Sequence, residues 1–137
     1  MTGRTERIGQ RVYDRWAEYG FAYRVVDRLT RGLRRQAVQE LQVDVGDTVV
    51  DLGCGPGGSF SLLSDLVGPE GDVLGVDYSA AMVEAAADRA ATTSSVSVLR
   101  GDAATLPVRI DSVDGVFASL ALSAMPELEA VLDEVAR

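Results

Sequence analysis

From Arg4 to Leu41 apolar residues recur at helical spacing, with Ile8, Val12, Trp16 and Tyr19 on one face and Val25, Val26, Leu29 and Leu33 continuing beyond Gly20. The spacing predicts two or three helices. The pattern then changes period. After a turn at Val43-Asp44-Val45-Gly46-Asp47, the β-branched run Thr48 to Leu52 has the character of a strand buried on both faces, and a glycine-rich loop follows it directly. Ser59 to Val67 suits a helix that Gly68-Pro69 stops, and Asp72 to Asp77 is a second buried strand. Ser79 is a good N-cap for a helix through Ala91 that buries Met82, Val83, Ala86, Ala87 and Ala90. Val96 to Leu99 reads as a third strand and, after a loop around Asp102 to Asp111, Ser112 to Leu120 as a fourth. Pro126 then opens a last helix with Leu128, Val131, Leu132 and Val135 on one face.

Strands alternating with helices of about ten residues imply a parallel sheet built by right-handed crossovers, a doubly wound α/β fold. Residues 1–42 are expected to form an N-terminal helical cap and residues 43–137 a Rossmann-like domain. The length of 137 residues fits one core, and 47% hydrophobic content is enough to fill it.

Charge and chemistry narrow the function. The net charge of −8 divides unevenly: residues 1–35 hold nine arginines against four acids (+5), and residues 36–137 hold four against seventeen (−13). An acidic main body argues against nucleic acid as a partner, because phosphate contact is driven by basic patches. With one cysteine, Cys54, and no histidine, no metal site is expected. No run of apolar residues is long enough to span a membrane and no signal peptide is visible, so a cytoplasmic location is expected.

In such a sheet ligands bind beyond the carboxyl ends of the strands, where the strand order reverses. Here Asp51 ends the first strand, Asp77 ends the second, Asp102 follows the third and Ser119 lies at the fourth. Glycines at Gly53, Gly55 and Gly57 let a ligand approach the backbone, and the helix after them offers free N–H groups. A dinucleotide loop would share these features, but its spacing is G-x-G-x-x-G. The spacing here is G-x-G-x-G, preceded by a carboxylate that would repel a pyrophosphate and attract an ammonium group. Asp77 can accept hydrogen bonds from both ribose hydroxyls. Asp102 could accept from an adenine amino group, and the Ala103 N–H could donate to the ring.

The runs Val49-Val50-Asp51-Leu52-Gly53-Cys54-Gly55-Pro56-Gly57, Gly75-Val76-Asp77-Tyr78-Ser79 and Gly101-Asp102-Ala103 resemble, in order and spacing, the motifs of class I S-adenosylmethionine-dependent methyltransferases. The chain is similar to the branch that includes quinone-biosynthesis C-methyltransferases and other small-molecule methylators. The resemblance implies S-adenosylmethionine as cofactor and a small-molecule methyl acceptor. It also implies a strand order of 3-2-1-4 with helices on both faces. Asp51 and the backbone from Gly53 through Cys54 and Gly55 to Gly57 would hold the methionine portion, and Asp77 the ribose. Tyr78 would lie near the adenine, Asp102 and Ala103 at its edge, and the Ser119 carbonyl at the ammonium. No general base is assigned, because the identified acids are all engaged by the cofactor.

The family's sheet continues beyond a fourth strand in the order 3-2-1-4-5-7-6. The expectation is therefore a shortened sheet whose fourth strand is an exposed apolar edge, open to pairing with a partner chain or a second copy. The alternatives are a non-catalytic S-adenosylmethionine-binding subunit and, disfavoured by the loop spacing, a nicotinamide-dependent oxidoreductase. Cys54 reads as a small residue between glycines and not as a nucleophile, with no histidine to activate it. Tyr13 and Tyr19 are further candidates for covering the cofactor. Arg4, Arg7, Arg11 and Arg15, and likewise Arg24, Arg28, Arg31 and Arg35, form basic stripes beside apolar ones. Each is read either as a solvated face or as a lid helix meeting an anionic or lipid-like acceptor or a membrane surface.

Overall fold

A computed structural model describes residues 20–106, 108–109, 111–119 and 128–137. Tyr13, Tyr19 and the helical pattern before Gly20 lie outside the described residues. In chain order the elements are α1 (Gly20–Gln39), β1 (Thr48–Leu52), α2 (Phe60–Val67), β2 (Asp72–Asp77), α3 (Ala80–Ala90), β3 (Val96–Arg100), β4 (Gly115–Phe117) and α4 (Leu128–Ala136). All strand pairs are parallel and the sheet order is β3-β2-β1-β4, as expected.

β1 is central, and its side chains alternate between two packed layers. Val49 joins Val73, Phe60, Leu63, Val67 and Ala86 on the face covered by α2 and α3. Val50 and Leu52 join Val76, Leu106 and Val131 on the face covered by α4. Val49 and Val50 have no exposed surface at all. This double burial explains the continuous β-branched run, and each such side chain contributes about 1.5–3 kcal/mol.

Local chemistry sets the element ends. Ser79 has an extended backbone and its Oγ accepts a hydrogen bond from the Met82 N–H, the predicted N-cap. Gly68, at φ 72°, ends α2 and donates its N–H to the Ser64 carbonyl. α4 is tied back to the β3–β4 connection: Glu134 Oε1 accepts from the Leu106 N–H at 2.9 Å, while Arg137 donates to the carbonyls of Leu106 and Val108.

Three expectations change. Among the described residues, which do not include Leu120, β4 is paired over three, Gly115–Phe117, where Ser112–Leu120 was expected. Before it, the Asp114 N–H and carboxylate bind the Thr48 backbone, and Ser112 closes a turn onto Arg109, so these residues bracket the strand without extending it. Ala87 of α3 is exposed, and the buried positions of that helix are Met82 and Ala86. The largest change is in α1, where Val25, Leu29 and Leu33 of the apolar stripe are exposed. The face turned toward the protein instead carries Tyr23, Asp27, Thr30, Arg34 and Val38.

Gly75, in the middle of β2, is required by packing. A Cβ there would lie 2.6 Å from the Phe60 ring, and one at Gly57 would lie 2.5 Å from the same ring. Phe60 is wholly buried, so it cannot swing into solvent to make room. Gly75→Ala is expected to overpack this layer and lower stability by about 1–3 kcal/mol, read as a lower urea midpoint at unchanged slope. An unchanged midpoint would show that the layer under Phe60 has slack.

Candidate functional site

The glycine loop leaves β1 at the point where the sheet order reverses: β2 and β3 lie to one side of β1 and β4 to the other. Gly53, Gly55 and Gly57 have φ of 63°, 54° and 85°, in the left-handed region where a side chain is strained. The Cys54 N–H donates to the Val76 carbonyl at 3.0 Å, prolonging the β1–β2 ladder by one step before the chain turns away.

Asp77 organises the crevice before any ligand is considered. Its Oδ2 accepts the Gly55 N–H and its Oδ1 the Ser79 N–H, each at 2.9 Å, so one strand-end carboxylate ties the loop to the start of α3. Tyr78 follows, 46% exposed as a residue. Arg100, at the end of β3, donates Nε–H to the Tyr78 carbonyl at 2.8 Å and places its guanidinium 5.8 Å from the ring centre. These two contacts hold an aromatic face at the crevice rim.

Asp51 is different in kind. It is 2% exposed and its Oδ2 has no hydrogen-bond partner among the described residues. Burial pushes its carboxyl up to about 7; the Arg34 guanidinium pulls it back and the Asp77 carboxylate adds to the rise. A buried carboxylate with an unmet acceptor, beside a backbone stripped of side chains, fits a cationic or amine-bearing ligand portion.

The remaining candidates are placed less uniformly. The Cys54 side chain turns into the core beside Phe60 and Gly75, and burial pushes its thiol up, so only its backbone borders the loop. Asp102 is exposed; its Oδ1 accepts the Ala104 N–H at 2.8 Å in a tight turn, with Ala103 half-buried inside it. Ser119 is half-buried, two residues beyond Phe117, which pairs with Asp51. The strand ends thus bring Asp51, Gly53, Gly55, Gly57, Asp77 and Tyr78 to one rim. A separate cleft of about 300 Å³, lined by Val50, Leu106, Gly115, Glu134 and Arg137 among others, lies on the α4 side and includes no loop residue.

α1 supplies what the sequence reading missed. A Cβ on Gly55 would lie 3.6 Å from the Tyr23 hydroxyl, and one on Gly58 would lie 2.0 Å from an Arg34 guanidinium nitrogen. Arg34 is 6% exposed and donates to both the carboxylate (2.6 Å) and the carbonyl (2.7 Å) of Asp27. Its Nε is a second buried polar atom without a partner among the described residues. The signal was present as Tyr23, Asp27, Thr30, Arg34 and Val38 at i, i+4, i+7, i+11 and i+15, but its polar members conceal it from a search for hydrophobic periodicity.

Comparisons with known proteins agree with this geometry. The chain matches the methyltransferase domain family over residues 49–137 and belongs to that family, here in its class I, Rossmann-like form. It is 37% identical over 118 residues to a 2-phytyl-1,4-naphtoquinone methyltransferase of Synechococcus elongatus, covering 81% of this chain and 51% of that protein. It is 33% identical over 104 residues to a demethylmenaquinone methyltransferase of Staphylococcus aureus, covering 76% of this chain and 43% of the relative. The chain therefore spans about half the length of these relatives. Among solved structures, the methyltransferase in complex with the Trm112 methyltransferase activator of Haloferax volcanii matches with a TM-score of 0.76 at 32% identity, over 91% of this chain and 54% of that one. An S-adenosylmethionine-dependent methyltransferase from Aquifex aeolicus matches with a TM-score of 0.71 at 27% identity, over 76% and 56%.

The raised Asp51 pKa makes stability pH-dependent with a definite sign. Between about 4 and 7 the folded chain keeps a proton that the unfolded chain has lost. Stability from this group is therefore full below the unfolded value and falls as pH rises through the window, by about 1.4 kcal/mol per pH unit. Asp51→Asn is expected to melt higher than the parent chain near pH ~8, with the gap closing toward pH ~4. A gap that stays constant across that range in thermal unfolding would show that Asp51 remains ionised. In Arg34→Gln the falling limb should extend to higher pH, because a neighbouring positive charge is lost.

Proposed function

We propose that this chain binds S-adenosylmethionine at the glycine loop and serves as the cofactor domain of a methyltransferase acting on a small molecule of the quinone class. The observation that carries the reading is the buried Asp51 carboxylate, whose Oδ2 has no hydrogen-bond partner among the described residues, in front of a three-glycine loop at the switch point of the sheet. When bound, the cofactor supplies a methyl group already activated by a sulfonium. Asp51 would face the ammonium of its methionine portion, with the backbone from Gly53 to Gly57 admitting that portion closely. Asp77 would receive the ribose hydroxyls while holding Gly55 and Ser79 in place. Tyr78, steadied by Arg100, would lie against the adenine, with Asp102 and Ala103 at the adenine edge and the Ser119 carbonyl near the ammonium.

The two quinone methyltransferase relatives support the acceptor class. The division into a cap over residues 1–42 and a cofactor domain over 43–137 is part of this reading, with the qualification that α1 contacts the loop and so belongs to the site. Cytoplasmic placement is part of the same proposal. A partner chain is also proposed. β4 is one of the two outer strands of the described sheet, a short edge to which another strand can add, and the Haloferax volcanii neighbour is itself one half of a complex.

Calorimetry tests the reading. S-adenosylmethionine and S-adenosylhomocysteine are expected to bind and NAD is not. Because the ammonium favours ionised Asp51, binding below pH ~7 should release a proton, and affinity should fall about tenfold per pH unit at the steepest part of the acid limb. Asp77→Asn should weaken binding by about tenfold or more, through loss of charge-assisted hydrogen bonds. Binding of NAD in preference to both sulfur nucleosides would refute the methyltransferase reading.

A further inference from the structure

α1 turns its apolar stripe outward, and what borders that stripe indicates what it meets. Around the helix axis three arcs are distinct. Tyr23, Asp27, Thr30, Arg34 and Val38 face the protein. Next come Arg24, Arg28, Arg31 and Arg35, all exposed. The third arc is Phe21, Val25, Leu29 and Leu33, one turn apart, at 82%, 43%, 77% and 66% exposure. Large side chains this exposed and this regularly spaced form a continuous apolar ridge, not scattered surface residues.

We propose that this ridge and its arginine border are a docking surface for an anionic lipid bilayer, with α1 lying in the plane of the headgroups. A helix with an apolar face, an arginine-rich border and little net hydrophobicity is the form that settles at a bilayer interface. The charge pattern selects an anionic surface. Asp27 is the single acid between Gly20 and Gln39, and its ion pair with Arg34 on the protein-facing side leaves four exposed arginines with no acid on their own helix. α1 itself carries five arginines against one acid (+4) and residues 40–137 carry −13, so an anionic surface attracts the α1 side and repels the body behind it. The same lack of acids disfavours a second copy of α1 as occupant, since like charges would meet. In this orientation α1 lies flat, with the glycine loop against its opposite face. The loop then stands about 10 Å, one helix diameter, above the lipid. That position suits an acceptor dissolved in the bilayer, although the docking itself requires neither cofactor nor acceptor.

Co-sedimentation of the full chain with vesicles tests this directly. Phosphatidylcholine vesicles containing about 30 mol% phosphatidylglycerol are expected to bind it, pure phosphatidylcholine vesicles to bind it far less, and added salt to release it. Arg28→Gln and Arg31→Gln should each reduce partitioning about fivefold, and Leu29→Gln about tenfold. All three positions are exposed, so circular dichroism and melting temperature should not change in these variants. Failure of the folded chain to bind anionic vesicles would overturn the proposal, as would binding that these substitutions or salt leave unchanged. A dimer, seen by light scattering, that Leu29→Gln dissolves without any vesicle binding would give the ridge to a second copy and equally overturn it.

Discussion

A carboxylate sits one residue before the end of the most buried of the described strands, and the rest of the site depends on holding it there. Asp51 follows Val49 and Val50, two residues with no exposed surface, and occupies the register position between Gly75 and Phe117. Leaving a carboxylate in such a place with an unmet oxygen is unfavourable, and a protein selected for stability alone would fill the position with valine. The surroundings prevent the cost from being relieved locally. The ladder fixes the backbone on both sides, Phe60 fills the layer beneath Gly75, and the glycine loop turns away through left-handed conformations. The compensation offered from within the chain is electrostatic and indirect, from Arg34, itself committed to Asp27. A ligand bearing positive charge is the natural completion of the arrangement.

Much of the frame can be read from the sequence because its signals are local. The boundaries of β1, β2 and α3 follow from a change in hydrophobic period and from Ser79, whose hydroxyl caps its own helix wherever that helix packs. The loop glycines announce a close backbone approach by their alternate spacing directly after a strand. β4 is shorter than the apolar run around Val113, Val116 and Phe117 predicts, because Asp114 uses its backbone and side chain to bracket the start of β1. That bond spans 66 residues and leaves no trace in periodicity.

The site was legible to the same limited depth. Strand-end acids and glycines declare themselves by position, whereas Tyr23, Arg34 and Arg100 enter through contacts between elements distant in sequence. α1 misleads for a physical reason. Its apolar residues form a proper amphipathic stripe, but hydrophobic periodicity identifies a face without identifying what covers it. The protein-facing side is chosen instead by the fit of Arg34 and Asp27 against Gly58, where even a methyl group would collide. Gly58 has no unusual backbone angle, so its requirement is visible only after α1 is in place.

That fit connects the two faces of α1. The side bearing Arg34 contributes to the electrostatics of Asp51 and packs on Gly58, and the opposite side presents the apolar ridge. A helix so placed cannot shift along its axis without moving the guanidinium that modulates the buried carboxylate. Arg34 reaches back two turns to Asp27 instead of forming a bond to the loop itself, so the helix is internally braced while its contact with Gly58 remains a matter of packing. Packing contacts of this kind transmit displacement over short distances because interiors are nearly incompressible. Whatever the outer face of α1 meets is therefore mechanically adjacent to Asp51, with a single helix separating the two.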